Sequence, residues 1–209
     1  MTAFDAALSG VATRLRRDDG VEVDLEVRRW RRAARGDDRW LLDRCTGPVI
    51  DLGCGPGRLV AALVARGIPA LGVDASAVAQ RQCRRRGAPM VRRDLFRPLP
   101  GEGRWQHVLL ADGNIGIGGD PLRLLRLAGR LLRAGGTLLV ETDPTPHLLW
   151  QGTARVADGA PLPWACAGAD ALRRLTATLG MHATDGYRGR RSFVQFAFSA
   201  AGPAVSRGA

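Results

Sequence analysis

The sequence predicts an α/β protein built on a doubly wound, mostly parallel sheet. Three observations predict it. From Val49 onward, short apolar runs alternate with segments of helical spacing. The first run leads into a glycine-rich turn and then a helix, as ligand loops do at the carboxyl ends of such sheets. Residues 181–186 and 192–199 flank Tyr187-Arg188-Gly189-Arg190-Arg191, a hairpin that adds an antiparallel strand.

The elements follow in order. Val11, Thr13 and Leu15 alternate, Asp18-Asp19-Gly20 turns, and Val21, Val23, Leu25 and Val27 alternate again, so 11–27 reads as a hairpin. Residues 37–45 read as a short helix. Val49-Ile50-Asp51-Leu52 is a buried strand. Leu59, Ala62 and Leu63 mark a helix over 58–66 that stops at Gly67. A second strand spans 68–73. Ser76 caps a helix over 76–86 that ends at Gly87. A short strand spans 88–92, prolines and glycines punctuate 98–103, and a fourth strand spans 107–111. Asp120-Pro121 opens a helix expected to reach Gly135-Gly136, followed by a strand over 137–141. With four prolines, 143–165 reads as irregular. A helix spans 170–179, and the tail after Ala200 is expected to fray.

At 209 residues and 45% hydrophobic, the chain suits one domain of ordinary size with a real core. No apolar run is long enough to span a membrane. Residues 1–10 carry Asp5 and no basic stretch, which is not a secretory signal. The four cysteines are scattered, so neither a disulfide framework nor a metal site is expected, and a cytoplasmic location is. The net charge is +11, and all 31 cations are arginine. Composition alone can produce that excess. It is densest at Arg81, Arg84, Arg85, Arg86, Arg92, Arg93 and Arg97. A phosphate-binding stripe would look like this, and so would a solvated helix face. No aromatic residue interleaves between Arg81 and Arg93 to stack bases, which favours the solvated face.

The most informative stretch is Asp51-Leu52-Gly53-Cys54-Gly55-Pro56-Gly57, placed between a strand and a helix. Asp74 ends the second strand, Asp94 follows the third and Asp112 follows the fourth. Four consecutive strands thus carry an aspartate at the end where such folds bind ligands. A pyrophosphate would want cations there. A ligand with a ribose diol, an amine and positive charge fits carboxylates better, and S-adenosylmethionine (SAM) has all three.

These residues resemble a family. Residues 49–59 look like the first motif of the class I SAM-dependent methyltransferases, Leu71-Gly72-Val73-Asp74-Ala75-Ser76 like the second and Arg93-Asp94-Leu95-Phe96 like the third. Leu132-Arg133-Ala134-Gly135-Gly136 is similar to the turn before their fifth strand, with Ala134 where proline is usual. The resemblance covers about residues 40–199. It implies a Rossmann-like sheet of seven strands with the last antiparallel, and SAM as cofactor. By the same resemblance Asp51 and Gly53 hold the methionine end, with Cys54, Gly55 and Gly57 in the same loop. Asp74, beside Ala75, holds the ribose; Asp94 and Leu95 frame the adenine; Asp112 and Gly113 lie beside the methionine moiety.

The chain then divides into an N-terminal hairpin and helix over 1–47 that could act as a lid, a SAM-binding domain over 48–200, and a tail over 201–209 expected to be disordered. A hydroxyl or protonated amine acceptor needs a base, and His147, Asp112 and Asp143 are the candidates. Asn114 and Ile115 in the glycine-rich loop after the fourth strand, with His147, Trp150 and Trp164, are the candidate acceptor contacts; each tryptophan reads equally well as core. That loop lacks the Asp/Asn-Pro-Pro-Tyr signature of methyltransferases acting on base amino groups. The reading is a methyltransferase for a small-molecule acceptor, at O or N rather than C, in specialised metabolism. Its rivals are a nucleic-acid methyltransferase and a non-catalytic SAM- or partner-binding module. An NAD-dependent oxidoreductase is disfavoured because Gly53, Gly55 and Gly57 are spaced G-x-G-x-G.

Overall fold

A computed structural model describes residues 2–199; the tail over 201–209 lies outside the described residues. In chain order the elements are α1 (Asp5–Leu8), β1 (Arg14–Arg17), β2 (Glu22–Asp24), α2 (Val27–Arg31), α3 (Asp38–Leu42), β3 (Val49–Leu52), α4 (Arg58–Ala65), β4 (Ala70–Asp74), α5 (Ala77–Arg86) and β5 (Met90–Arg92). There follow β6 (Trp105–Leu110), α6 (Pro121–Leu131), β7 (Leu132–Thr142), β8 (Leu149–Val156), β9 (Leu162–Ala167), α7 (Ala169–Ala177), β10 (Met181–Arg188) and β11 (Ser192–Phe198).

Seven strands form the main sheet in the order β10-β11-β7-β6-β3-β4-β5. β3 pairs in parallel with β4 and β6, β4 with β5, and β6 with β7, while β11 runs antiparallel to both β7 and β10. The doubly wound sheet with an antiparallel last strand is therefore present. Every residue of β3 is buried, as befits a central strand covered on both faces. Ile50 and Leu52 pack into one core with Val108, Leu124 and Leu138. Val49 packs into the other with Leu59, Leu109 and Phe193. Fully burying each of these large side chains contributes about 1.5–3 kcal/mol.

Local chemistry sets the helix ends. Ser76 Oγ accepts from the Val78 and Ala79 amides at 3.0 and 3.1 Å, a cap worth about 1 kcal/mol. Asp120 accepts from the Arg123 amide at 3.0 Å, and Pro121 takes the first helical position. α6 stops at Leu131 and β7 begins at once, earlier than the glycine pair at 135–136 suggests. A Cβ at Gly136 would lie 2.9 Å from the Gln106 carbonyl, so this glycine serves the close approach of β6 and β7.

The stretch 143–165, expected to be irregular, instead contains β8 and β9. They pair with each other, and β8 pairs with β1, giving a second, antiparallel sheet in the order β2-β1-β8-β9. The hairpin foreseen near the N-terminus is thus half of a sheet completed from residues far along the chain, with Leu15 opposite Val156. Pro163 sits within β9, which is tolerated because β9 is an edge strand.

Candidate active site

A cavity of about 660 Å³ opens at the carboxyl ends of β3, β4, β6 and β7. Its floor is the loop after β3, with Asp74 and Asp94 along one side and Asp112, Glu141 and Asp143 along the other. The second sheet and the N-terminal segment roof it. Phe4, Leu15, Val23, Leu25, Trp30, Leu162 and Trp164 make that roof apolar, and the Phe4 and Trp164 rings lie 4.9 Å apart.

The loop has to be glycine for two different reasons. Gly53, Gly55 and Gly57 all adopt positive φ, at 76°, 51° and 75°. At Gly53 a Cβ would also meet Asn114 Nδ2 at 2.8 Å and Ile117 Cδ1 at 2.6 Å. Asn114 approaches this closely because its amide donates to the Leu52 and Gly53 carbonyls at 2.9 and 2.8 Å. At Gly57 a Cβ would press on Cys83 and Ala88, so that residue docks the loop on α5 and does not line the cavity.

Asp74 is built into the loop. One carboxylate oxygen accepts from the Gly55 amide at 3.0 Å and the other from the Ser76 amide at 2.8 Å. Burial nevertheless raises its pKa. Asp94 is exposed and accepts from the Phe96 amide at 2.9 Å. Asp51 lies beneath the loop, 3% exposed, and does not line the cavity. Burial, aided by the charges of Asp112, Asp74 and Asp38 and opposed by Arg58, pushes its carboxyl up to about 7.

Asp112 belongs to a buried cluster of charge. Arg58 bonds Asp38 and Asp112, Arg191 bonds Asp38, Asp112 and Glu141, and Arg29 reaches Asp112 at 3.0 Å. Three guanidinium groups thus face three carboxylates contributed by α2, α3, α4, the loop after β6, β7 and the turn before β11. Burial works against the Asp112 charge, but Arg58, Arg191 and Arg29 hold its pKa below the usual range. Its φ is 56°, and its amide donates to Glu141. The side chain is consumed by the cluster, so it is unsuited to take a proton from an acceptor.

Of the residues anticipated from sequence, Gly53, Cys54, Gly55, Asp74, Ala75, Asp94, Leu95, Asp112, Gly113, Asn114, Ile115, Asp143 and Trp164 line the cavity. Asp51, Gly57, His147 and Trp150 do not. The His147 side chain is 81% exposed and pairs with Asp170 at 3.0 Å. Trp150 lies outside because β8 turns it towards Arg17, whose guanidinium stacks 4.1 Å above its ring. The sequence reading missed Arg29, Arg58, Glu141 and Arg191, and the roof residues Phe4, Leu15 and Leu25; Trp30, expected in a segment folding over the site, does line it. Arg58, the residue after the last loop glycine, is the one that position could have flagged. Among the described residues, no group of three or more His, Cys, Asp or Glu is placed to hold a metal ion.

The sequence model of a family described as "Methyltransferase domain" matches residues 49–136, the span from β3 into β7 that carries the glycine loop and all three strand-end aspartates after it. Over these 88 of its 209 residues the chain resembles a methyltransferase domain. The protein shares its fold with a SAM-dependent methyltransferase from Bacteroides fragilis solved with S-adenosylhomocysteine. That likeness has 20% identity and a TM-score of 0.74, covering 94% of this chain and 92% of the other. It is also similar to the sugar N-methyltransferase KedS8 from Streptoalloteichus, with 19% identity, a TM-score of 0.57 and coverage of 77% and 84%. A third likeness is to the 1,6-didemethyltoxoflavin N1-methyltransferase of Burkholderia thailandensis, with 19% identity, a TM-score of 0.56 and coverage of 76% and 72%. At these identities the likeness is one of fold. No curated protein sequence matches this chain. Among the described residues, no helix is long and apolar enough to cross a membrane.

Proposed function

We propose that the enzyme transfers the methyl group of SAM to the oxygen or nitrogen of a small, largely apolar molecule. The observation that carries this is one cavity with two linings: a glycine loop with carboxylates on the floor, and aromatic and aliphatic side chains on the roof. The floor suits SAM. Gly53 leaves no room for a side chain of its own, and Asp74 and Asp94 carry no ion pair among the described residues. Bound there, SAM supplies a sulfonium-activated methyl group.

This chain's residues have four tasks. Asp74 accepts the ribose hydroxyls with lone pairs left free by its two backbone bonds. Asp94 and Leu95 frame the adenine. Gly53 and Gly55, with Asp51 beneath them, hold the cationic methionine end. The roof positions the acceptor and keeps water out, which supplies much of the rate in a displacement that needs little covalent help. Asp143 takes the acceptor's proton. It lines the cavity and, among the described residues, its carboxylate accepts only from the Thr145 amide at 2.8 Å, whereas Asp112 is ion-paired and His147 faces solvent. We place the N-terminal segment as a lid, since Thr2, Ala3, Phe4 and Leu8 close one wall.

Calorimetry with SAM tests the cofactor: Asp74→Ala is expected to weaken binding at least tenfold, and unchanged affinity would remove the assignment. Incubating the enzyme with methyl-labelled SAM and small-molecule extract tests turnover.

A further inference from the structure

The arginines that make the chain so basic are not spread evenly over its surface. Arg31 on α2 and Arg85 and Arg86 on α5 line a cleft of about 430 Å³ together with Gln82 and Pro56. None of these three arginines forms an ion pair among the described residues, and no carboxylate lines the cleft. Burial lowers the Arg86 pKa, and its guanidinium is held by the Trp30 and Arg31 carbonyls, at 3.4 and 2.8 Å. Three like charges drawn around one concavity repel each other unless an anion joins them. Gln82 supplies a second and different demand. Its amide nitrogen donates to the Leu8 carbonyl at 2.8 Å, and its amide oxygen is buried with no donor among the described residues. An unmet buried acceptor is costly.

We infer that this cleft binds inorganic hydrogenphosphate. Such a group offers anionic oxygens to Arg31, Arg85 and Arg86 and a P–O–H donor to Gln82 Oε1. A phosphodiester of nucleic acid has no such hydroxyl, sulfate has none at neutral pH, and a phosphate monoester, with a second pKa of about 6, has mostly lost its own by then. The site also touches the N-terminal segment, and its regulatory role rests on the reading of that segment as a lid. Gln82 holds α1, Arg86 holds the end of α2, Arg31 contacts the Ser9 carbonyl, and Pro56 belongs to the glycine loop. Neutralising the arginines tightens the N-terminal segment over the cavity, so the anion regulates access to it.

Thermal unfolding of the full chain at constant ionic strength tests this. Phosphate should raise Tm saturably, by about 5 °C at a concentration a hundredfold above its Kd. Sulfate and chloride should give less than half of that rise. Arg85→Gln should abolish the shift, while Arg126→Gln, which removes one charge from the exposed face of α6, should preserve it. Phosphate should also slow hydrogen exchange over residues 2–32. Ribose 5-phosphate should give a smaller shift than inorganic phosphate, and an equal or larger one overturns the proposal. Equal shifts with sulfate, or a shift that survives Arg85→Gln, overturns the proposal. So does an RNA oligonucleotide that binds through Arg85 when phosphate does not.

Discussion

Arg58 and Asp38 meet through two hydrogen bonds, Nε to Oδ2 at 3.2 Å and Nη2 to Oδ1 at 2.8 Å, with side chains only 3% and 1% exposed. The pair pins α3 to the first turn of α4, just after the glycine loop. Removing one member of a buried pair leaves the other charged and poorly solvated. Asp38→Ala is therefore expected to cost about 3–5 kcal/mol in urea unfolding. A companion Arg58→Met change should recover part of it. A loss near zero in Asp38→Ala would mean that Asp112 alone satisfies Arg58.

Gly53→Ala should damage both stability and binding. Its positive φ costs a side chain about 1–2 kcal/mol, and the added Cβ would displace Asn114 and Ile117 from the loop. SAM affinity is expected to fall at least tenfold by calorimetry. Gly67→Ala is the control. It too has positive φ, but nothing lies within 4 Å of its Cβ, so it should lose stability alone.

Asp51 makes a pH-dependent trade. Its folded pKa of about 7 lies above the unfolded value of about 3.9, so the protonated form favours the fold. Its contribution is fully present below about pH 4 and is lost as pH rises to about 7. Asp51→Asn should thus be about 2–4 kcal/mol more stable than the wild type at pH 8 and no more stable at pH 4. The same variant should bind SAM more weakly, since the carboxylate beneath the methionine end is gone. A variant that gains stability without losing affinity would remove Asp51 from the cofactor site.

Two of the three proton acceptors proposed from sequence, His147 and Asp143, can be separated by turnover. His147→Ala should leave kcat/KM within about twofold, because that side chain is outside the cavity. Asp143→Asn should lower kcat about a hundredfold if a proton must leave the acceptor, the usual scale for general-base loss. The opposite ranking would return the role to His147.

Much of the main sheet was legible because its signals are local. Ser76, Asp120-Pro121 and Gly87 mark helix ends within a few residues of where they act, and Asp74 and Asp94 fall at strand ends that periodicity locates. The second sheet was not legible. β8 has only two fully buried residues, Ala154 and Val156, and the prolines around it belong to an edge strand and its turns. The charge cluster was hidden for another reason. Arg29, Arg58 and Arg191 look like any of the 31 arginines until the fold brings Asp38, Asp112 and Glu141 to them.

The pairing of Leu15 with Val156 has a consequence for how the chain is made. At ~5–20 residues per second on the ribosome, roughly 140 residues separate the two strands by ~7–28 s of synthesis. During that interval β1 and β2 form a lone two-stranded hairpin, which is marginal in water. Leu15 and Val23 belong to a cluster with Ala7, Val27 and Trp30, but that cluster lacks Ala154 and Val156 until β8 emerges. Vectorial synthesis thus delays closure of the cavity roof until β8 and β9 have emerged, and leaves the N-terminal hairpin incompletely paired while it waits.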